Sequence, residues 1–206
     1  MRLLRRSPAL LAVAAALAVA GASLFSALAA HVAVDDLDDT RGPLDVRRVE
    51  LVGEKHPRWK VITWRRWTTR DVFDTGYSMI LLDTVSTGRA DYFILVGSSG
   101  NRLYAELFRD RVGKPDRKIA DIRRVGRIDR KSFYVRLPLW RVKLGPNRAF
   151  YRWRVQTLFT GKHCRRVCFD LVPEAGAIAE PLPRPTPTAT PTPSITESPS
   201  PIPSSY

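Results

Sequence analysis

The sequence predicts an all-β domain, an antiparallel β-sandwich of about eight or nine strands. Three observations carry this. Short runs with apolar residues at every second position recur through the middle of the chain, as in Phe133, Val135 and Leu137 against Tyr134 and Arg136. Turn residues divide the runs at a spacing of roughly ten residues, in Ser86-Thr87-Gly88, Gly97-Ser98-Ser99-Gly100-Asn101, Gly113-Lys114-Pro115-Asp116 and Gly145-Pro146-Asn147. No stretch after the N-terminal segment has the 3.6-residue period of an amphipathic helix. The spacing suits a sandwich or a barrel, and the sandwich is the expected form.

Residues 1–29 carry Arg2, Arg5 and Arg6, then an apolar run, then Ala27-Leu28-Ala29, a small-x-small cleavage pattern. They read as a secretory signal peptide with a helical apolar region, leaving Ala30 as the mature terminus. The apolar run is also long enough to span a bilayer, so an uncleaved N-terminal membrane anchor is the alternative. After cleavage no stable membrane span is expected. Next come Asp35, Asp36, Asp38 and Asp39, an oxygen-rich cluster of the kind that holds a hard cation such as a structural calcium. The spacing is not that of an EF-hand loop, because Arg41 stands where the glycine belongs. The plainer reading of the four aspartates is a solvated acidic loop leading into the sandwich.

The first clear strand covers residues 44–52. Leu44 and Val46 share one face, and Val49 and Leu51 fall on the other unless Arg47-Arg48 forms a bulge that restores the register. Residues 59–67 are partly apolar on both faces, as in a central strand. Residues 77–84 and 91–96 are two apolar runs that read as buried neighbours, followed by a strand at 102–109. Residues 118–128 hold one or two arginine-rich edge strands. In the closing hairpin, residues 149–172, Tyr151, Trp153, Val155 and Thr157 share one face while Arg152, Arg154 and Gln156 share the other.

Cys164 and Cys168 are the two cysteines of the chain. Four residues along a straight strand cover about 13 Å, whereas a disulfide needs Cα atoms within about 7 Å. The backbone must turn between them for a bond to form, and the short turn of the hairpin is expected to carry both. Gly161, Lys162 and His163 supply turn residues, and the oxidising compartment implied by the signal favours a structural disulfide over a metal or redox site.

Composition changes at Gly176. Of the 16 prolines, 9 lie beyond it, interleaved with Thr and Ser, and the segment has almost no large apolar residue. Residues 176–206 are therefore expected to be a disordered, extended tail of the kind that carries O-glycans. The sandwich domain is expected at residues 30–175. Within residues 31–175, 30 basic and 18 acidic side chains leave +12, mostly arginine. Such a surface suits an anionic polymer or a membrane face, and it is also what an arginine-rich genome produces as ordinary solubilising surface.

Enzymatic signatures are sparse. His31, His56 and His163 do not pair at metal-ligand spacing, Gly97-Ser98-Ser99-Gly100 is not a nucleophile elbow, and no phosphate-cradling glycine loop occurs. Asp83 and Asp91 are the least implausible carboxylate pair for hydrolysis, though aspartates at strand ends usually serve turns. The sharper surface feature is Trp64, Arg65, Arg66 and Trp67, which Trp140 would extend into a stacking and charge platform. The competing reading places the tryptophans in the core with arginine laid over their rings. No nucleic-acid-binding motif is present, and none is expected as a partner for a secreted chain.

The runs DDTRGPLDVRRV, LLDT with DYFILV, FYVRLPL, and YRWRVQTLF with CFDLVP together resemble a group of secreted bacterial, actinobacterial-type β-sandwich domains. Their pattern is similar to jelly-roll carbohydrate-binding and DOMON-type modules. The resemblance covers the domain and not the tail. It implies an extracellular, non-catalytic module, and it carries over no ligand-binding residue. No cofactor is expected apart from the structural calcium already named. The expected function is binding of a carbohydrate or anionic component of the cell envelope. A cell-surface protein-interaction domain is the alternative, and a hydrolase the weaker one.

Overall fold

Alternating side chains turn inward from two antiparallel sheets in the computed structural model, which describes residues 31–70, 76–145, 150–161 and 164–182. The strands are β1 (His31–Asp35), β2 (Val46–Val52), β3 (Arg58–Thr63), β4 (Gly76–Asp83), β5 (Tyr92–Ser99), β6 (Arg102–Arg109), β7 (Arg117–Asp121), β8 (Val125–Arg127), β9 (Ser132–Arg136), β10 (Phe150–Gly161), β11 (Cys164–Val172) and β12 (Ile178–Pro181). The smaller sheet runs β1-β2-β3-β9-β8. The larger runs β11-β10-β4-β5-β6-β7, with β12 also on β10. Most ladders join neighbours in sequence; β3 with β9 and β4 with β10 bring distant segments together. The core lies between the sheets. Trp59 of β3 meets Tyr151 of β10 edge-on at 6.5 Å, and the Thr157 hydroxyl of β10 donates to the Leu44 carbonyl at 2.8 Å.

The bulge expected at Arg47-Arg48 is present. Val46 pairs with Thr63 and Arg48 with Ile62, which leaves Arg47 as the extra, exposed residue. It puts Val46, Val49 and Leu51 all in the core. The weak region after residue 116 divides into β7 and β8, which belong to different sheets.

Three expectations are corrected. The described residues contain more strands than the eight or nine expected. One addition is β1, whose outward Ala33 and Asp35 dilute the alternation; it pairs with β2 from His31↔Val52 to Asp35↔Arg48. The other is β12, which moves the end of the domain beyond Gly176. Its composition is tail-like, but its Tyr151↔Glu180 and Trp153↔Ile178 pairs continue the edge that β11 occupies up to Val155↔Val172. β11 and β12 act as one strand interrupted by residues 173–177. The third correction concerns the cysteines, which sit in β11 and not in the turn. Gly161 faces Cys164 and Phe159 faces Cys168, so β11 spends four residues where β10 spends two. That excursion brings the Cα atoms to 5.6 Å and the Cys164–Cys168 disulfide forms. Closing so small a loop stabilises the fold by about 2 kcal/mol on the loop-entropy model.

The segment read as a signal peptide, the residues beyond Leu182, and Pro146, Asn147, Lys162 and His163, read as turn residues, lie outside the described residues. Among the described residues no helix is long and apolar enough to cross a membrane.

One glycine fixes how the β1–β2 connection reaches the disulfide. Gly42 has φ +123, and a Cβ there would stand 2.9 Å from Phe159 Cδ1 and 3.3 Å from Cys164 Sγ. Gly42→Ala is expected to cost about 1–3 kcal/mol through strain and overpacking. A urea midpoint equal to that of the parent chain would show that the loop does not pack there.

Candidate anion-binding groove and carboxylate cluster

Register places the sequence-predicted residues at two opposite ends of the sandwich. At one end β3 meets Lys131 through the Thr63 N–H, and the Trp67 N–H donates to the Arg130 carbonyl. At the other end Leu137 and Leu139 donate to the carbonyls of Pro57 and Lys55, and a 3₁₀ turn covers Leu139–Arg141. Trp64 and Trp67 belong to the first end and Trp140 to the second. The strip expected from the sequence is therefore not assembled.

Each member has a different role. Trp67 is 2% exposed, packed edge-on against Phe133 and covered by Arg127 at 4.5 Å. Trp64 is half-buried under Arg47 at 5.2 Å. Arg65 is engaged internally, bonding to Asp38 at 2.6 Å and also to Asp45 and the Thr40 carbonyl. Arg66 is exposed and lines a shallow cavity with Arg127 and Arg130. Trp140 is 74% exposed, with the Arg141 guanidinium over one ring face at 4.8 Å.

Trp140 adjoins a groove that sequence reading missed. Its volume is about 310 Å³, and Arg123, Arg124, Arg136, Arg141 and His56 line it. The β7-to-β8 passage delivers Arg123 and Arg124, and the Arg136 N–H donates to the Arg124 carbonyl, which locks the end of β9 beside them. Among the described residues none of the four arginines pairs with a carboxylate. Asp121 also lines the groove, but it is held by Lys118 at 2.7 Å. Other arginines of the fold are neutralised: Arg48 by Asp35 and Glu50, Arg89 by Asp110. The groove thus concentrates positive charge, four arginines against the single lining carboxylate of Asp121. The signal available in the sequence was the Arg123-Arg124 pair in a weak edge region; its convergence with Arg136 and Arg141 needs the β8–β9 ladder.

The carboxylates form a second feature at the opposite end. Asp36, Asp39 and Asp170 bring oxygens within 4.8 Å of one another. Asp170, on β11, is fixed by accepting the Val46 and Leu171 backbone N–H groups, each at 2.6 Å. Burial and the nearby Asp170 charge push Asp36 up to about 7, and burial raises Asp170 as well. Asp45 is 1% exposed, and burial pushes it up to about 7 against the pull of Arg65. Of the four aspartates singled out in the sequence, Asp36 and Asp39 enter this cluster. Asp38 is drawn to Arg65, which holds it below the usual carboxylate range, and Asp35 pairs with Arg48. Asp83 and Asp91 do turn work. Asp83 accepts the Thr87 and Gly88 N–H groups, and Asp91 accepts the Thr84 N–H and hydroxyl.

Comparison of the chain with protein-family models, curated proteins and solved structures finds no match.

Proposed function

We propose that this protein is a secreted, non-catalytic sandwich module that binds an anionic polysaccharide of the cell envelope, in the manner of jelly-roll modules, through the Arg123–Arg124–Arg136–Arg141 groove. The observation that carries this reading is the convergence of four arginines without carboxylate partners beside an exposed indole. Guanidinium groups take carboxylate, sulfate or phosphate oxygens in bidentate fashion. The free face of Trp140 offers a flat apolar surface for a sugar ring. A shallow site with opposed charge binds with strong salt dependence, because exposed charges are screened within about 8 Å at physiological ionic strength.

The test is affinity electrophoresis of the purified chain in gels containing either a uronic-acid polysaccharide or a neutral glucan, at low and high salt. Retardation by the acidic polymer is expected, with loss in high salt. The triple variant Arg123→Ser, Arg124→Ser, Arg141→Ser is expected to weaken binding at least about 10-fold, on the order of the 1.4 kcal/mol that a single charge-assisted contact supplies. Trp140→Ala is expected to weaken it less, and to weaken the component that survives salt. Equal retardation by the neutral glucan, or a triple variant that binds like the parent, would remove the groove from the function.

A second reading rests on the outer face of the larger sheet. Leu81, Phe93 and Phe108 are in cross-strand register there, with the two phenyl rings stacked at 5.1 Å, and Met79 faces Leu95 in the next row. An apolar row on a face that would otherwise be polar favours a protein-interaction domain. Light scattering that shows concentration-dependent association, abolished by Phe93→Ser, would support it.

A further inference from the structure

The end of the sandwich that holds the disulfide also gathers acidic side chains. The connection between β1 and β2 crosses from the smaller sheet to the β10–β11 hairpin. The Thr40 hydroxyl donates to the Phe169 carbonyl, and Cys164 Sγ lies 3.2 Å from the Arg41 carbonyl oxygen. The crossing lays Asp36 and Asp39 against Asp170, with Asp38 and Asp45 alongside. Five carboxylates meet, and Arg65 pairs with two of them, Asp38 and Asp45.

Proximity alone does not make a site, but two buried oxygens here lack any donor. Asp45 Oδ1 is fully shielded and unpartnered, although the side chain is wholly buried. The Asp45 carboxylate faces those of Asp38 and Asp170. Asp36 Oδ2 is likewise shielded and unpartnered while standing against Asp170. An ionised carboxylate can only accept, so facing carboxylates cannot satisfy one another. A buried charged oxygen without a partner is costly unless a cation or a proton takes it.

We propose that Asp36, Asp39 and Asp170 ligate a calcium ion that clamps the β1–β2 connection onto β11, with buried Asp45 completing the negative field around it. Oxygens on one calcium at about 2.4 Å are at most about 4.8 Å apart, which the three carboxylates match. Oxygen-only ligands and an irregular, partly exposed loop suit calcium over zinc, whose protein sites are built chiefly on histidine and cysteine, and over magnesium, which demands a tight octahedron. The Val46 and Leu171 N–H groups hold the Asp170 carboxylate in place before the ion arrives. The clamp stands independently of the arginine groove, which lies at the other end of the fold.

The experiment is calcium titration calorimetry on the purified chain at pH 7.5, with thermal unfolding in chelator and in millimolar calcium. One calcium per chain and a Tm rise on the order of 5 °C are expected. Asp36→Asn and Asp39→Asn, which alter side chains at least partly open to solvent and spare the fold, are expected to weaken calcium binding at least about 10-fold. Asp35→Asn, which lies outside the three-carboxylate cluster, is expected to bind as the parent does. No heat with an unchanged Tm would overturn the proposal. So would parent-like affinity in both Asp36→Asn and Asp39→Asn, or an equal Tm rise in magnesium.

Discussion

Trp59→Ala is expected to remove about 3–5 kcal/mol of stability, the range for deleting a buried large aromatic side chain. Trp59 is 0% exposed and sits on β3, between Leu51 of β2 and Val135 of β9. Its ring crosses the interior to Tyr151 of β10, at 76° between planes. It therefore joins the two sheets at a point where no backbone ladder does. Removing it opens a cavity that stiff neighbours such as Val61 and Val135 cannot fill without leaving their rotamers. The Trp59 Nε1 atom has no hydrogen-bond partner, so Trp59→Phe loses volume but no hydrogen bond. It should cost less than about 2 kcal/mol. Trp140→Ala, at an exposed ring, should change stability by no more than about 0.5 kcal/mol. Urea unfolding of the three variants checks the order. A Trp59→Ala midpoint close to that of Trp140→Ala would mean that the two sheets do not pack through this residue.

Stability in the presence of chelator is expected to increase as pH falls from 7.5 to 5. Asp36 and Asp45 are both pushed up to about 7, well above the ordinary aspartate range, in each case first by burial. Asp36 faces Asp170 and Asp39, while Asp45 faces Asp170, Asp38 and Arg65. A carboxyl whose folded pKa is raised binds more protons in the folded than in the unfolded state between about pH 4 and 7. Its stabilising contribution is therefore complete below the unfolded value and is lost as pH rises through the folded value. Burial of Asp91, Asp170 and Glu180 acts in the same direction. Asp38, Glu50 and Asp129 are lowered and act oppositely, but their shifts come from ion pairs and hydrogen bonds nearer the surface. The net gain is on the order of 2 kcal/mol, since the facing carboxylates share one repulsion and do not add. Unfolding midpoints in chelator at pH 5 and 7.5 decide it. Asp45→Asn should flatten the slope, because the amide stays neutral at both values. A chain less stable at pH 5 than at 7.5 in chelator would show that these carboxylates are solvated and ordinary.

Period-two alternation made most strands readable, because whether a side chain points in or out depends on its own strand alone. The bulge at Arg47 was legible for the same reason: Val46, Val49 and Leu51 can share a face only with one residue added. β1 and β12 were not legible. Both are short edge segments whose pairing is decided by what β2 and β10 leave open, and β12 has the composition of a linker. The tryptophans divided according to position. Trp67 follows β3 back into the core, whereas Trp140 is displayed on a 3₁₀ turn.

An all-β chain, its principal strands, the bulge and a disulfide between the two cysteines follow from the residues alone, since these depend on local periodicity and on a small number of possible pairings. Tertiary structure alone decided which charges are answered. Asp170 joins Asp36 and Asp39 only because β11 lies on β10 while the β1–β2 connection crosses to meet it. Arg136 and Arg141 join Arg123 and Arg124 only because β8 pairs with β9 at the edge of the smaller sheet. Pairing across a sheet is set by register between segments far apart in the chain, and no local pattern records which carboxylate an arginine will find or fail to find.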